Sequence, residues 1–273
     1  MNSEPSASRN SSLFVGTSGF SYDDWVGPYY PKNIPKARWF DFYAEEFSCI
    51  EINASYYSWM STKAMESLSS RAPVDFRFAV KLHRSITHGK EDLQKAIEAT
   101  IEQNLPLEDP VHLAQFPNGF KPSDEAWEKI EGVADLENVV VEFRNKEWQT
   151  DETLTRLRKL GISLCAVDVP AVQGLPKFSK EITGDIAYIR LHGRNAAKWY
   201  DHDHAFERYD YLYSDKELTK IAEDISEMSE RAEESFVFFN NHYAAQAVTN
   251  ARQLGQMLGI GTEPAQAALF DQE

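Results

Sequence analysis

The chain has 273 residues, of which 42% are hydrophobic and 26% charged, and a formal net charge of −15. That balance fits a globular protein with room for one large domain or two small ones. Its acidity opposes long-range attraction to nucleic acid or an acidic membrane, unless one region is locally basic.

Residues 1–12, rich in Ser and Asn, read as a disordered tail. Leu13 to Thr17 is a first short strand that runs into a Gly/Pro/aromatic loop holding Tyr22 and Trp25. A helix fits Lys36 to Phe47, where Trp39, Phe40, Tyr43 and Phe47 recur at helical spacing. The second strand, Cys49 to Asn53, leads to a Ser61-Thr62 cap and a helix through Ser69. The third strand is Phe76 to Leu82; its loop carries His83 and His88, and a helix follows over Glu91 to Gln103. Val111 to Phe116 is the fourth strand, and Ser123 caps the next helix. The fifth strand, Val139 to Phe143, precedes a helix from Asp151 to Leu160 that stops at Gly161. Ile162 to Val167 is the sixth, with an irregular connection after it and no clear helix. The seventh, Ile186 to Leu191, opens a long aromatic loop, Asn195 to Ser214, before a helix from Asp215 to about Glu233. Phe236 to Phe239 is the eighth, and a last helix spans Ala244 to Leu258. From Gly259 the chain reads as a flexible tail.

Alternating strands and helices predict a parallel sheet with helices outside. Eight units over residues 13–258 predict a single (β/α)8 TIM barrel; a doubly wound open sheet is the alternative. Neither GxGxxG nor GxxxxGK[ST] follows the first strand, which weighs against a nucleotide-binding open sheet. No apolar run is long enough to span a bilayer. The polar N-terminus lacks a secretion-signal core, so the expected location is cytoplasmic. Cys49 and Cys165, in apolar runs, are expected as buried free thiols, placed too early in their strands to reach a barrel rim.

Polar residues end the apolar strands. Residues two apart on a strand share a face. Thus Glu51 with Asn53, Lys81 with His83, Glu142 with Arg144, and Arg190 with His192 form strand-end pairs, and Gln115, Asp168 and Asn240 stand singly. In a barrel these ends meet at the face that carries catalysis. Glu51, Lys81, Glu142 and His192 are the candidate acid–base residues. Lys81, Arg144 and Arg190 suit an anionic group such as a carboxylate or phosphate, and Arg194 joins the site from the loop. Asn53, His83, His88, Gln115, Asp168 and Asn240 would complete substrate binding, and Tyr22, Trp25 and Trp148 would stack on a sugar or base. An internally paired polar plug is the rival reading. Lys81 could instead form a Schiff base, as in a sugar-phosphate isomerase or aldolase. A divalent metal has ligand types in Glu51, His83, Glu142, Asp168 and His192, but Lys and Arg compete for those carboxylates. His202-Asp203-His204 reads as a second metal candidate or a solvated segment, and the loop around it as a lid or as packing on the outer helices. If the charged cluster is catalytic, Glu142→Gln and Arg190→Ala abolish activity while leaving the melting temperature within a few degrees.

The runs GTSGFSYDDWVGPYYP, FYAEEFSCIEINASYY, FAVKLHRSITH, VVVEFRNKEW, YIRLHGR and VFFNNHYAAQAVTNA resemble, in order, the YecE-like family, a domain of unknown function. The resemblance implies a TIM barrel and no settled reaction. Gln266, Leu269 and Phe270 resemble the QxxLF pentapeptide that docks bacterial proteins on the DNA sliding clamp. The readings that result are an enzyme doing hydrolytic or acid–base chemistry on a small anionic, phosphate-bearing or nucleic-acid-derived ligand, or a non-enzymatic module docked on the clamp.

Overall fold

The computed structural model describes residues 12–89 and 92–261. Strands β1 (Ser12–Thr17), β2 (Cys49–Ile52), β3 (Arg77–Lys81), β4 (Val111–Phe116), β5 (Val139–Phe143), β6 (Ser163–Asp168), β7 (Ile186–Leu191) and β8 (Glu234–Phe239) are all parallel. They run in the order β1-β8-β7-β6-β5-β4-β3-β2. A bridge between Ser18 and Glu51, with the Gly19 N–H donating to the Glu51 carbonyl at 2.8 Å, draws β1 against β2. The ring is therefore a nearly closed (β/α)8 barrel and not an open sheet.

Parallel neighbours require a crossover, and helices supply it everywhere except between β6 and β7. They are α1 (Trp39–Ala44), α2 (Ala54–Tyr57), α3 (Thr62–Ser69), α4 (Arg84–Thr87), α5 (Leu93–Asn104), α6 (Asp124–Val133), α7 (Asp151–Leu160), α8 (Asp215–Ser229) and α9 (Gln246–Met257). Ser61, Ser123, Thr150 and Ser214 accept backbone N–H bonds at the starts of α3, α6, α7 and α8. Gly161 ends α7 in the left-handed conformation, with φ 67°. The helix expected over Lys36–Phe47 is a 3-10 turn, Lys36–Arg38, leading into α1. The last helix starts late because Ala244 and Ala245 both have positive φ. The region from Gly174 to Ile182 has no helix, as the sequence suggests. No helix among the described residues is long and apolar enough to cross a membrane. Residues 1–11 and the Gln266, Leu269 and Phe270 motif lie outside the described residues.

Alternation splits each strand between barrel interior and helix layer. Cys49, Ala79, Leu113, Val140, Cys165, Tyr188, Phe236 and Phe238 fill the interior as one cluster. Below them, Arg77 donates to both Glu234 carboxylate oxygens at 2.6 and 2.8 Å, under the Phe14–Phe236 stack. Above them, the strand ends become polar.

Pairing around the ring is uneven. β1 and β7 flank β8 along its length. β5 and β6 share only Val140↔Ser163 and Val141↔Leu164, and then part. A cavity of about 170 Å³ opens beside this gap, lined in part by Phe143, Leu164, Cys165 and Val167. With the narrow contact at Ser18–Glu51, this leaves two four-stranded halves, β2–β5 and β6-β7-β8-β1, joined at two seams. At the second seam, a Cβ on Gly16 would come within 2.6 Å of the Cys49 carbonyl oxygen.

Candidate active site

The polar strand ends converge at the barrel mouth. Arg190 lies at the centre, 1% exposed, on β7. Its guanidinium donates to Glu142 Oε2 at 2.5 Å and to Glu51 Oε1 at 2.6 Å. Tyr188, two residues earlier on the same face, donates to Glu51 Oε2 at 2.7 Å. Arg144 Nε lies against Glu142 Oε1. Both acids are fully buried. Burial alone would raise the pKa of Glu142, but Arg144 and Arg190 hold it well below the usual carboxylate range. Burial likewise works against the charge on Arg190, and Glu142 and Glu51 reverse it, so its pKa is raised.

His192 sits on the same inward face and is fully buried. Its Nε2 lies 3.5 Å from Glu142 Oε1. The Asn240 amide meets its Nδ1 at 2.8 Å. With the amide NH2 as donor, the ring proton sits on Nε2 and faces Glu142. Burial, then the charge of Arg144, lowers the His192 pKa to about 3, so the ring is neutral.

Of the strand-end cations Lys81, Arg144 and Arg190, Lys81 is the one that no carboxylate holds among the described ion pairs. Its Nζ donates to Gln115 Oε1 at 2.8 Å and lies 4.1 Å from the centre of the Tyr56 ring. Burial, with Arg190 as the next cause, lowers its pKa to about 7. Gln115 in turn lines a cavity of about 270 Å³ with Asn118, Arg144, Leu175, Trp199, Arg208 and Tyr209. The long loop after β7 thus folds over the mouth: Trp199 is buried, and Tyr209 lies 6.4 Å from the His192 ring.

Glu51, Lys81, Gln115, Glu142, Arg144, Arg190, His192 and Asn240 therefore meet as the sequence predicts. Others do not. Cys165 and Val167 face the interior, so Asp168 is out of phase and points to the helix layer with its register partner Leu191. There Arg194 binds it in fork fashion at 2.9 and 2.6 Å, and the Tyr213 hydroxyl donates at 2.8 Å. Trp25 and Trp148 are buried in the layer between sheet and helices, their indole N–H groups donating at 2.7 Å to the His242 and Phe120 carbonyls. Neither offers a face for stacking. Tyr22 donates to the Ser18 carbonyl at 2.6 Å and stacks on His242 at 4.6 Å.

His83 stacks on Trp59 and caps α4, accepting from the Ser85 N–H at 3.3 Å. His88 is an exposed neighbour of Tyr56. Asn53 Oδ1 is buried without a hydrogen bond from the described residues. His202 meets Arg208 at 2.7 Å and His204 stacks on Phe206, so that segment is tied into the loop. Among the described residues, no group of three or more His, Cys, Asp or Glu side chains converges to hold a metal.

The pattern does not single out Tyr188, Tyr56, Arg208 or His242. Tyr188 was within its reach, since Tyr188, Arg190 and His192 follow the strand period. Tyr56 sits on the one-turn helix α2 and the others in the connections after β7 and β8, where no period marks a direction.

A family model described as "Protein of unknown function DUF72" matches residues 14–272. The UPF0759 protein YunF of Bacillus subtilis (strain 168) is 25% identical over 94% of this chain and all of its own length. The crystal structure of a DUF72 family protein from Thermotoga maritima MSB8 superposes with a TM-score of 0.85 at 38% identity, covering 91% of this chain and 99% of that one. One from Enterococcus faecalis V583 gives 0.80 at 24% identity, over 93% and 99%. The chain belongs to the DUF72 family of unknown function, in agreement with the YecE-like resemblance carried by its motifs.

Proposed function

We propose that the barrel is an enzyme that moves protons on a small anionic substrate at its mouth. The observation that carries this reading is Lys81, a lysine with a pKa near 7 set one hydrogen bond from a cavity containing Arg144 and Arg208. A general acid or base works best when its pKa lies near the working pH. Lys81 is then the proton-transfer group. Arg144 and Arg208 hold the anionic group, and Gln115 and Asn118 offer it amide hydrogen bonds. Glu51, Glu142 and Arg190 form the charged floor beneath, and His192 is a neutral donor toward Glu142. Hydrolytic chemistry on a phosphate-bearing or nucleic-acid-derived substrate would draw on the same groups.

Titration calorimetry with inorganic phosphate tests the cavity. Binding is expected in the wild type and is weakened roughly tenfold or more by Arg144→Ala or Arg208→Ala, since a charge-assisted bond contributes ~1.5–3 kcal/mol. Equal affinity in all three proteins would refute the assignment.

A second reading, docking on a DNA sliding clamp through Gln266, Leu269 and Phe270, is supported by the motif alone and is independent of the barrel chemistry. A labelled peptide of residues 260–273 should show raised fluorescence anisotropy with clamp, and the Leu269→Ala/Phe270→Ala peptide should not. An unchanged signal at saturating clamp rules the docking out.

A further inference from the structure

We infer that Lys81 captures an aldehyde or ketone bearing a phosphate or carboxylate group, as an imine at the barrel mouth. The inference rests on the proposed anion-binding cavity and adds the substrate class.

The acids that could hold Lys81 as an ammonium are engaged elsewhere. Glu51 receives Tyr188 and Arg190, and Glu142 receives Arg190 and contacts Arg144. Among the described ion pairs, none joins Lys81 to a carboxylate within 4.0 Å. Its hydrogen bond runs to the neutral amide of Gln115. A donated bond leaves the nitrogen lone pair of the neutral amine unused. Exposed lysines remain protonated at neutral pH, with pKa values near ~10.4, and are poor nucleophiles there. Lys81 departs from this through burial and the charge of Arg190.

The surroundings suit the covalent step. The Nζ lone pair forms a bond to the carbonyl carbon as the carbonyl π electrons move to oxygen. One Nζ proton passes to that oxygen. The second leaves with the hydroxyl as water, and C=N remains. Leu175, Trp199 and Tyr209 add apolar and aromatic surface to the cavity wall. Arg144 and Arg208, on the same cavity, would fix the distant anionic group and bring the carbonyl to the amine.

The test is reductive trapping on the full chain. Protein at pH 7 is incubated with glycolaldehyde phosphate or unphosphorylated glycolaldehyde in the presence of cyanoborohydride, and labelled lysines are located by peptide mass mapping. With the phosphate probe, Lys81 should be labelled at least roughly tenfold faster than the exposed Lys146 and Lys177. Arg208→Ala should slow Lys81 labelling by the phosphate probe by a larger factor than labelling by glycolaldehyde. Labelling of Lys81 no faster than of Lys146 and Lys177 overturns the imine. If phosphate binds by calorimetry while Lys81 stays unmodified, the imine falls and the anion site stands. If the two probes label Lys81 equally fast and ahead of the other lysines, the imine stands and the anion site falls. The comparison lies within one wild-type protein, so it does not depend on a variant folding.

Discussion

Arg190 gives one guanidinium nitrogen to each of two buried carboxylates, and Tyr188 reaches the far oxygen of one of them. A buried charge stripped of its partner is costly, about 3–5 kcal/mol. Glu142→Gln and Arg190→Ala should therefore lower the melting temperature by about 10 °C, using the usual slope for a chain of this size. This replaces the expectation that such variants keep their stability: both acids are fully buried, so they support the fold as well as the site. A shift under about 2 °C in thermal denaturation would show that the network carries little of the fold's stability.

Lys81 makes the opposite contribution. Its unfolded pKa is 10.5 and its folded value about 7. Between those pH values the unfolded chain binds more protons than the folded one, so stability rises with pH. Below about pH 7 the penalty of burying the ammonium is fully present. Lys81→Met removes that dependence. Denaturant titrations from pH 7 to 9 should show the wild type gaining about 1.4 kcal/mol per pH unit relative to the variant. A constant difference across that range would mean that Lys81 titrates elsewhere.

At the level of elements, strands were the most legible part of the chain. VHLAQF, VVVEF and IAYIRL are β-branched or apolar runs with a polar residue one position before their last, and their limits match β4, β5 and β7. The facing of a strand end was harder to read. Asp168 ends an apolar run as Glu142 does, yet the register of β6 turns it outward, and only the pairing of Val167 with Arg190 fixes that phase. Trp25 and Trp148 mislead for a related reason: an aromatic residue beside a strand end serves equally well to bind a ligand or to fill the helix layer. The loop after β7 has no period to read. Its order comes from tertiary contacts, with Trp199 buried, Lys198 paired with Glu207 at 2.8 Å, and Asn195 donating to the Glu207 and Asp210 carbonyls. Trp199→Ala should loosen this cover locally, raising the rate of proteolytic cleavage within residues 195–214 roughly tenfold with little change in global melting. Unchanged cleavage would mean that the other contacts suffice to hold the segment.

At the scale of the molecule, the two barrel halves are held together by side chains as much as by strand pairing. Arg190 on β7 reaches Glu51 and Glu142 on the opposite half. At the other end of the barrel, Arg77 on β3 reaches Glu234 on β8. The seam at β1 and β2 tolerates no added bulk, because Gly16 meets the Cys49 carbonyl and thiol and the Tyr43 hydroxyl. Gly16→Ala should cost about 1–3 kcal/mol by overpacking. Chemical denaturation checks this, and a neutral result would show that β1 can shift away from β2.

The asymmetry of that seam also bears on how the polypeptide is assembled. β1 has its long ladder with β8, so Phe14 must wait for Phe236, more than two hundred positions later, before its backbone groups are matched along one side. On a ribosome, β1 thus emerges more than two hundred residues before the strand that secures it. Loop closure over such a span is entropically slow, and an unmatched apolar strand is an invitation to pair with another nascent copy. Crowded overexpression is where that delay would be felt, as aggregates that form before the first strand has been claimed.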